Sequence, residues 1–273
     1  MEEKFVINVL HSPRIVEILE LLEKKPSSKK ELREILGISG SSLIQTITKM
    51  SSMGLVREEG EKVEISPKGS VILRAKDILE RYSMCINSLE KYINEYVLDD
   101  IPPRLLKRLY ELGELKVVER KEDTFKPHDE FVEELSKAKV IEGYSTIFFA
   151  EYVDVFSGFA EEGKKIKIAI NEKVFSQILR NYKKDLLRGL KYPNVELYLS
   201  RKDFRFCIAM TESYFSISFY LKNGLFDYKR DFVTKSESGR RWGKALLKHV
   251  MNYCVRIDER LVEKFESGLI RKS

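Results

Sequence analysis

The chain has 273 residues, of which 43% are hydrophobic and 11% aromatic, enough to fill two cores and too apolar for a disordered or fibrous chain. A formal net charge of +6, with 34% charged residues of both signs, is a mild bias toward anionic partners that selects none by itself. Cys85, Cys207 and Cys254 lie far apart without a CxxC pair, which suggests neither a disulfide framework nor a thiolate metal site and fits a reducing cytoplasm. No apolar run is long enough for a signal peptide or a membrane span, so a cytoplasmic protein is expected.

The first predicted helix runs from about residue 12 to 25. Ser12 is its N-cap, Pro13 its first position, and Ile15, Ile18, Leu19 and Leu22 its buried stripe. Pro26 ends it. Residues 28–69 then read as a winged helix-turn-helix. Leu32, Ile35 and Leu36 share one face of a short helix that Gly37 stops. The next helix starts near Ser39, with Leu43, Ile47 and Met50 on a packing face and Ser42, Gln45, Thr46 and Lys49 on a polar one. Glutamine can pair with adenine and lysine can reach guanine or phosphate, so the polar face has the chemistry of a recognition helix.

Residues 55–57 and 62–65 alternate as two short strands around Gly60. The expected DNA contacts are Lys29 and Lys30 at a helix entrance, then Ser39, Ser41, Ser42, Gln45, Thr46 and Lys49, and finally Arg57 and Lys62 on the wing. Glu58, Glu59, Glu61 and Glu64 oppose phosphate there, so the recognition helix is expected to dominate. Either helix alone reads better as half of an ordinary helical hairpin with a solvated polar face. The order helix, turn, helix, hairpin is what points to DNA.

Ser66 and Pro67 open a helix expected to reach about Tyr96, roughly 45 Å long. Ile72, Ala75, Leu79, Tyr82, Ile86, Leu89, Ile93 and Tyr96 recur three and four apart, the spacing of a coiled-coil seam. The expected partner is the same helix of a second subunit, giving a homodimer suited to paired half-sites, and the other reading is packing on the chain's own second domain. The expected organisation is residues 1–70 for DNA binding, 71–98 as a connecting and dimerising helix, and 99–273 as a sensor domain.

Pro102 and Pro103 break the long helix and open a short one with Leu105, Leu106, Leu109 and Leu112, closed by Gly113. Residues 119–127 read as a loop. Helices and strands then alternate: a helix at 129–137, a strand at 140–149, a helix ending at Gly163 and a strand at 165–170. A helix bearing Val174, Ile178, Tyr182 and Leu186 precedes strands at 195–199, 204–210 and 215–221, with a turn at Asn223-Gly224. The last predicted helix, 238–264, carries Trp242, Leu246, Val250, Tyr253, Ile257 and Leu261. This pattern predicts a two-domain chain of mixed α+β and α/β class, its second domain an α/β sheet.

Four phrases now stand in order: Asp100-Ile101-Pro102-Pro103 with Leu105-Leu106, Ile141-Glu142-Gly143-Tyr144-Ser145, Phe215-Ser216-Ile217-Ser218-Phe219-Tyr220-Leu221, and Arg241-Trp242-Gly243. Together they resemble the archaeal methanogenesis regulatory protein family over nearly the whole chain. The resemblance implies a transcription regulator acting on double-stranded DNA, with a winged helix joined to a sensing domain, and not an enzyme. The second domain also resembles a degenerate phospholipase D-like half. That motif needs a histidine, a lysine two residues on and an aspartate five further, whereas Phe204, Phe206 and Thr211 stand here, so the nucleophile is missing.

His11, His128 and His249 lie in three distant segments, which supports neither a metal cluster nor a Ser-His-Asp arrangement. No Walker glycine loop is present. No catalytic residue, metal or cofactor is therefore expected. An effector site is expected at one end of the strands, with Tyr144, Ser145, Phe149, Arg205, Ser216 and Ser218 serving a small anionic or hydroxylated ligand. Singly, each is also what a half-exposed strand contains. The alternatives are a phosphodiesterase-like enzyme of the phospholipase D type and a protein-interaction module on a winged-helix scaffold.

Overall fold

The first eighty residues form their elements where caps and apolar spacing call for them. The computed structural model describes residues 4–119 and 129–267 and divides into two units, Met1–Glu80 and Arg81–Ser273. In unit 1 the elements are α1 (Phe5–Leu10), α2 (Pro13–Lys24), β1 (Ser27–Ser28), α3 (Lys29–Leu36), α4 (Gly40–Ser52), β2 (Val56–Glu59), β3 (Lys62–Ile65) and α5 (Pro67–Leu89), the last running on past the division. The strands form an antiparallel sheet in the order β1-β3-β2, with Val63 facing Ser27 on one side and Glu58 on the other.

Ser28 caps α3 in a reciprocal box: its hydroxyl accepts the Glu31 N–H at 3.1 Å while its own N–H donates to the Glu31 carboxylate at 2.7 Å. Such a cap is worth about 1 kcal/mol. Gly37 ends the helix at φ 62°, a left-handed turn without Cβ strain. The core joins Ile18, Leu19 and Leu22 of α2 to Leu32, to Leu43, Ile47 and Met50 of α4, and to Leu55 and Val63. Ile35 departs from expectation, being 58% exposed. It lies about 60° round the helix from Leu32, on the side away from Leu36, where the core no longer reaches.

Unit 2 adds α6 (Pro103–Leu106), a 3-10 turn (Leu109–Leu112), β4 (Lys116–Glu119), α7 (Asp129–Ser136), β5 (Val140–Ser145), α8 (Glu151–Glu161), β6 (Lys165–Ile170) and α9 (Glu172–Gly189). There follow β7 (Val195–Ser200), β8 (Phe206–Met210), β9 (Phe215–Phe219), β10 (Arg230–Thr234), α10 (Glu237–Met251), β11 (Cys254–Arg256) and α11 (Glu259–Glu266). The sheet runs β11-β7-β6-β5-β8-β9-β10-β4. Its β7-β6-β5 part is parallel and every other pairing antiparallel.

Alternation along the strands gives the sheet two different faces. One carries Tyr144, Phe206, Phe215, Ile217 and Phe232 into a core with Trp242, Leu246 and Val250 of α10. On the other, Ile141, Ile166 and Val195 pack with Phe159 and Ala160 of α8, and Ile170 and Leu199 pack with Val174, Phe175 and Leu186 of α9.

The mixed α and β content is as expected, but several elements differ. α5 stops at Leu89 rather than near Tyr96, because the chain is drawn into strand-like pairing: Tyr96 bridges to Leu221 and the Val97 N–H donates to the Tyr220 carbonyl at 2.9 Å. The expected last helix is two helices separated by β11, whose Cys254, Val255 and Arg256 pair with Ser200, Leu199 and Tyr198, after which Asp258 caps α11. The strand expected over 140–149 ends at Ser145. α1, β1, β4 and β10 were not expected. Apart from Glu119, which closes β4, the expected loop at 119–127 lies outside the described residues, as does His128.

Candidate functional site

In unit 1 the polar residues of α4 stand opposite its core face. Ser39 caps the helix by accepting the Ser42 N–H at 3.2 Å, so the first turn sits at the end of the α3–α4 turn. Ser42, Gln45 and Lys49 are exposed, and Thr46, half-buried, donates its hydroxyl to the Ser42 carbonyl. Ser39 and Ser41 share a hydroxyl contact at 3.1 Å. Lys30, Gln45, Lys49 and Arg57 are exposed, with no side-chain hydrogen bond or ion pair among the described residues.

The other two basic candidates are engaged locally. Lys29 pairs with Glu58 at 2.7 Å and Lys62 with Glu64 at 3.0 Å. The Lys29 ammonium, followed by the Ser51 hydroxyl, holds the Glu58 carboxyl below its ordinary range. The same bond raises Lys29. Residues 1–80 contain as many Asp and Glu as Lys and Arg, so the excess charge of the chain does not lie in this unit.

Unit 2 contains a cavity of about 230 Å³ on the second face of its sheet. One end is apolar, between Ile141, Ile166 and Ile168 of the strands and Phe156, Ala160 and Leu186 of α8 and α9. The other end lies over β8, β9 and β10, where this face presents Cys207, Ala209, Ser216, Ser218 and Asp231. Ser218 donates its hydroxyl to the Asp231 carboxylate. Gly143 forms part of the floor; a Cβ there would stand 2.6 Å from the Ile208 carbonyl, so the close β5–β8 approach requires glycine.

Of the residues expected to meet an effector, Ser145, Phe149, Ser216 and Ser218 border this cavity. Tyr144 borders it too, but its ring lies in the core of the opposite face, edge-on to Phe204 and Phe206, and its hydroxyl accepts the Phe204 N–H at 3.2 Å. Burial pushes that hydroxyl's pKa up. Arg205 does not line the cavity; its guanidinium is 2.8 Å from Asp100 and 3.8 Å from Asp99. Phe204 and Phe206, at the phospholipase-type motif positions, are buried rings of the same core.

Sequence reasoning missed Cys207, Asp227 and Asp231 and, apart from Phe149, the aromatic rim. In that rim Phe149 stacks edge-on with Tyr152 and Tyr228 at 5.3 and 6.2 Å, and Tyr228 with Phe226 at 4.9 Å. Burial pushes the Cys207 thiol up, against the opposing hydrogen bonds of Thr146. Asp227 links the cavity wall to the segment that follows α5. The buried Tyr96 hydroxyl donates to its carboxylate at 2.6 Å, and Arg230 pairs with that carboxylate at 3.2 Å while lying 4.2 Å over the Tyr92 ring.

Residues 124–253 match the family model described as the methanogenesis regulatory protein FilR1, middle domain. That match lies wholly within unit 2. The chain is also 22% identical, over 250 residues and 89% of its length, to methanogenesis regulatory protein FilR1 of Methanothrix harundinacea (strain 6Ac). It spans 55% of that relative's length. Among solved structures, TrmBL2, described as an archaeal chromatin protein with a novel mode of DNA binding, aligns with TM-score 0.43 and 12% identity over 94% of this chain and 100% of that one. The dimethyltransferase RosA of Streptomyces davawensis gives TM-score 0.23 and 12% identity over 71% of this chain and 62% of that one. Neither score is high enough to indicate a common fold. All described cavity residues, from Phe131 to Asp231, fall inside the segment that matches the family model. Among the described residues no group of three or more His, Cys, Asp or Glu is arranged to hold a metal ion, and no helix is long and apolar enough to cross a membrane.

Proposed function

We propose that this protein is a sequence-specific DNA-binding transcription regulator whose second unit senses a small molecule. The observation that carries the reading is α4: a capped helix with Leu43, Ile47 and Met50 in the core and Ser42, Gln45 and Lys49 exposed on a separate face, preceded by a Gly37 turn and followed by a two-stranded hairpin. In this reading unit 1 is a winged helix-turn-helix and α4 its recognition helix. The regulatory role named for the FilR1 relative supports the same reading. Because the acidic wing engages Lys29 and Lys62, the free contacts are Gln45 and Lys49, with Lys30 and Arg57 toward the backbone.

The exposed stripe Val71, Ile78, Leu79 and Ile86 on α5 supports a homodimer of the kind paired half-sites require. Ile72 and Leu89 are already buried in their own units, so the proposed seam is narrower than the full heptad pattern. Unit 2 is proposed as a degenerate phospholipase D-like sheet in which the cavity replaces catalysis. Its occupant would act through Asp227, whose carboxylate accepts the hydroxyl hydrogen of Tyr96, a residue shortly beyond the end of α5. A tenfold change in DNA affinity requires only about 1.4 kcal/mol of differential binding, within the usual range of coupling.

The direct test is fluorescence anisotropy of the full chain on DNA from its own promoter region, with scrambled DNA as competitor. Preference for the promoter sequence is expected. Equal affinity for both DNAs would remove the regulator reading, and protein capture without DNA affinity at low salt would favour the interaction module.

A further inference from the structure

Going round α4 at about 100° per residue, the side chains outside its core face follow in the order Ile44, Thr48, Ser41, Gln45, Lys49 and Ser42. All six are exposed. Five are polar, whereas Ile44 is a hydrocarbon that stands 57% open to solvent. The other large apolar residues of the helix, Leu43, Ile47 and Met50, are buried in the core. Thr46, which the sequence groups with the reading face, lies nearer the core edge, half-buried, with its hydroxyl donated to the Ser42 carbonyl.

Ile44 stands in the N-terminal half of α4, directly before Gln45. In a recognition helix the N-terminal residues are the ones that reach base edges. Thr48, with a methyl group of its own, follows one turn later and about 40° round the helix, on the same side. Of the four bases, thymine alone presents a methyl group in the major groove, and its partner adenine is the base that glutamine pairs with through N6 and N7. Ile44 and Gln45 therefore carry the two kinds of contact that A·T pairs offer there. A methyl contact needs no charge, which suits a unit whose acidic and basic residues balance.

We infer that Ile44 is a specificity-determining residue that reads the 5-methyl group of a thymine beside the base pair contacted by Gln45, with Thr48 extending the contact. This inference rests on the reading of unit 1 as a winged helix-turn-helix with α4 as its recognition helix. It adds to that reading a thymine recognised through its methyl group.

The test uses the full chain and promoter DNA prepared twice, once with thymidine and once with deoxyuridine at every thymidine position. The exchange removes the methyl groups and leaves the charge and hydrogen-bonding atoms in place. Affinity is read by fluorescence anisotropy. Wild type is expected to bind the uracil DNA at least about fourfold more weakly, the loss that corresponds to burying one methyl group. Ile44→Ala is expected to bind the thymine DNA more weakly and to treat the two DNAs alike, and Ile44→Val to keep part of the difference. The comparison of ratios isolates the contact between this side chain and the methyl group. Because Ile44 is exposed, its truncation leaves no core cavity. Circular dichroism checks the fold, and Ile44→Val supplies the same comparison should the alanine variant fail to fold. Equal binding of the two DNAs by wild type, or a uracil penalty of the same size in wild type and variant, would overturn the inference. In either case a retained preference for promoter over scrambled thymine DNA leaves the regulator reading standing. Loss of that preference in wild type removes both.

Discussion

Replacing Tyr96 by phenylalanine removes one oxygen from the point where the cavity wall meets the chain leaving α5. The tyrosine is 3% exposed, its hydroxyl is 2.6 Å from the Asp227 carboxylate, and its ring packs 5.3 Å from Phe219 and 5.6 Å from Phe232. Phenylalanine keeps the ring contacts, so the loss is that hydrogen bond together with the longer one the hydroxyl accepts from Arg230 at 3.3 Å. Bonds to charged partners contribute about 1.5–3 kcal/mol. Asp227 retains Arg230 at 3.2 Å and the Lys229 N–H at 2.9 Å, which places the cost near the lower limit, about 1.5 kcal/mol. For a unit of this size that corresponds to a midpoint lower by about 3–6 °C. Trp242 is the chain's single tryptophan and is fully buried in unit 2, so its fluorescence follows the melting of that unit alone. A Tyr96→Phe protein that melts within about 1 °C of wild type would refute the claim that this bond holds the post-helical segment to the sheet.

Gln45→Ala is expected to lose about 1–3 kcal/mol of discrimination between promoter and scrambled DNA. Lys49→Ala should instead weaken both and reduce the slope of log affinity against log salt by about 1, checked by anisotropy over a salt series. Leu79→Lys, at a position 56% exposed, should convert a dimer to a monomer in sedimentation velocity without lowering the melting temperature; a wild-type monomer at micromolar concentration removes the premise. Burial, then Lys202 and Arg104, lowers the pKa of His249 below its ordinary 6.5, so the unfolded chain takes up a proton first as pH falls. Stability is therefore unaffected by this residue at pH 7.5 and declines as pH drops from about 6.5 toward the folded pKa. His249→Gln should flatten the fall in the Trp242-monitored midpoint between pH 7 and 5.5.

How much of this was readable in the sequence follows from how local each signal is. α3 and α4 were legible because their caps, Ser28 and Ser39, and their stop at Gly37 lie within a few residues of the helices they govern. The end of α5 was not, because the spacing continues through Ile93 and Tyr96 while the decisive bond comes from Tyr220, far along the chain. β1, β4 and β11 span two to four residues and exist through their partners. Ser145, Ser216 and Ser218 stood out within quoted phrases, whereas Cys207 and Asp231 join them only through pairing of β8, β9 and β10, and β10 went unseen. Face assignment was the other obstacle. Tyr144 and Ser145 are adjacent, yet their side chains serve opposite sides of the sheet.

That division of labour bears on how the binding site can change over time. Along β8 and β9 every second residue, Phe206, Ile208, Met210, Phe215, Ile217 and Phe219, is buried in the core that α10 closes. The residues between them, Cys207, Ala209, Ser216 and Ser218, are small and face open space. Substitutions that enlarge or recharge the second set fill a void without creating one, so they escape the cavity penalty of about 2–5 kcal/mol that truncation of the first set incurs. Selectivity can therefore drift one alternate position at a time while the same strands keep the sheet intact, and relatives sharing this scaffold are expected to vary most at those four positions.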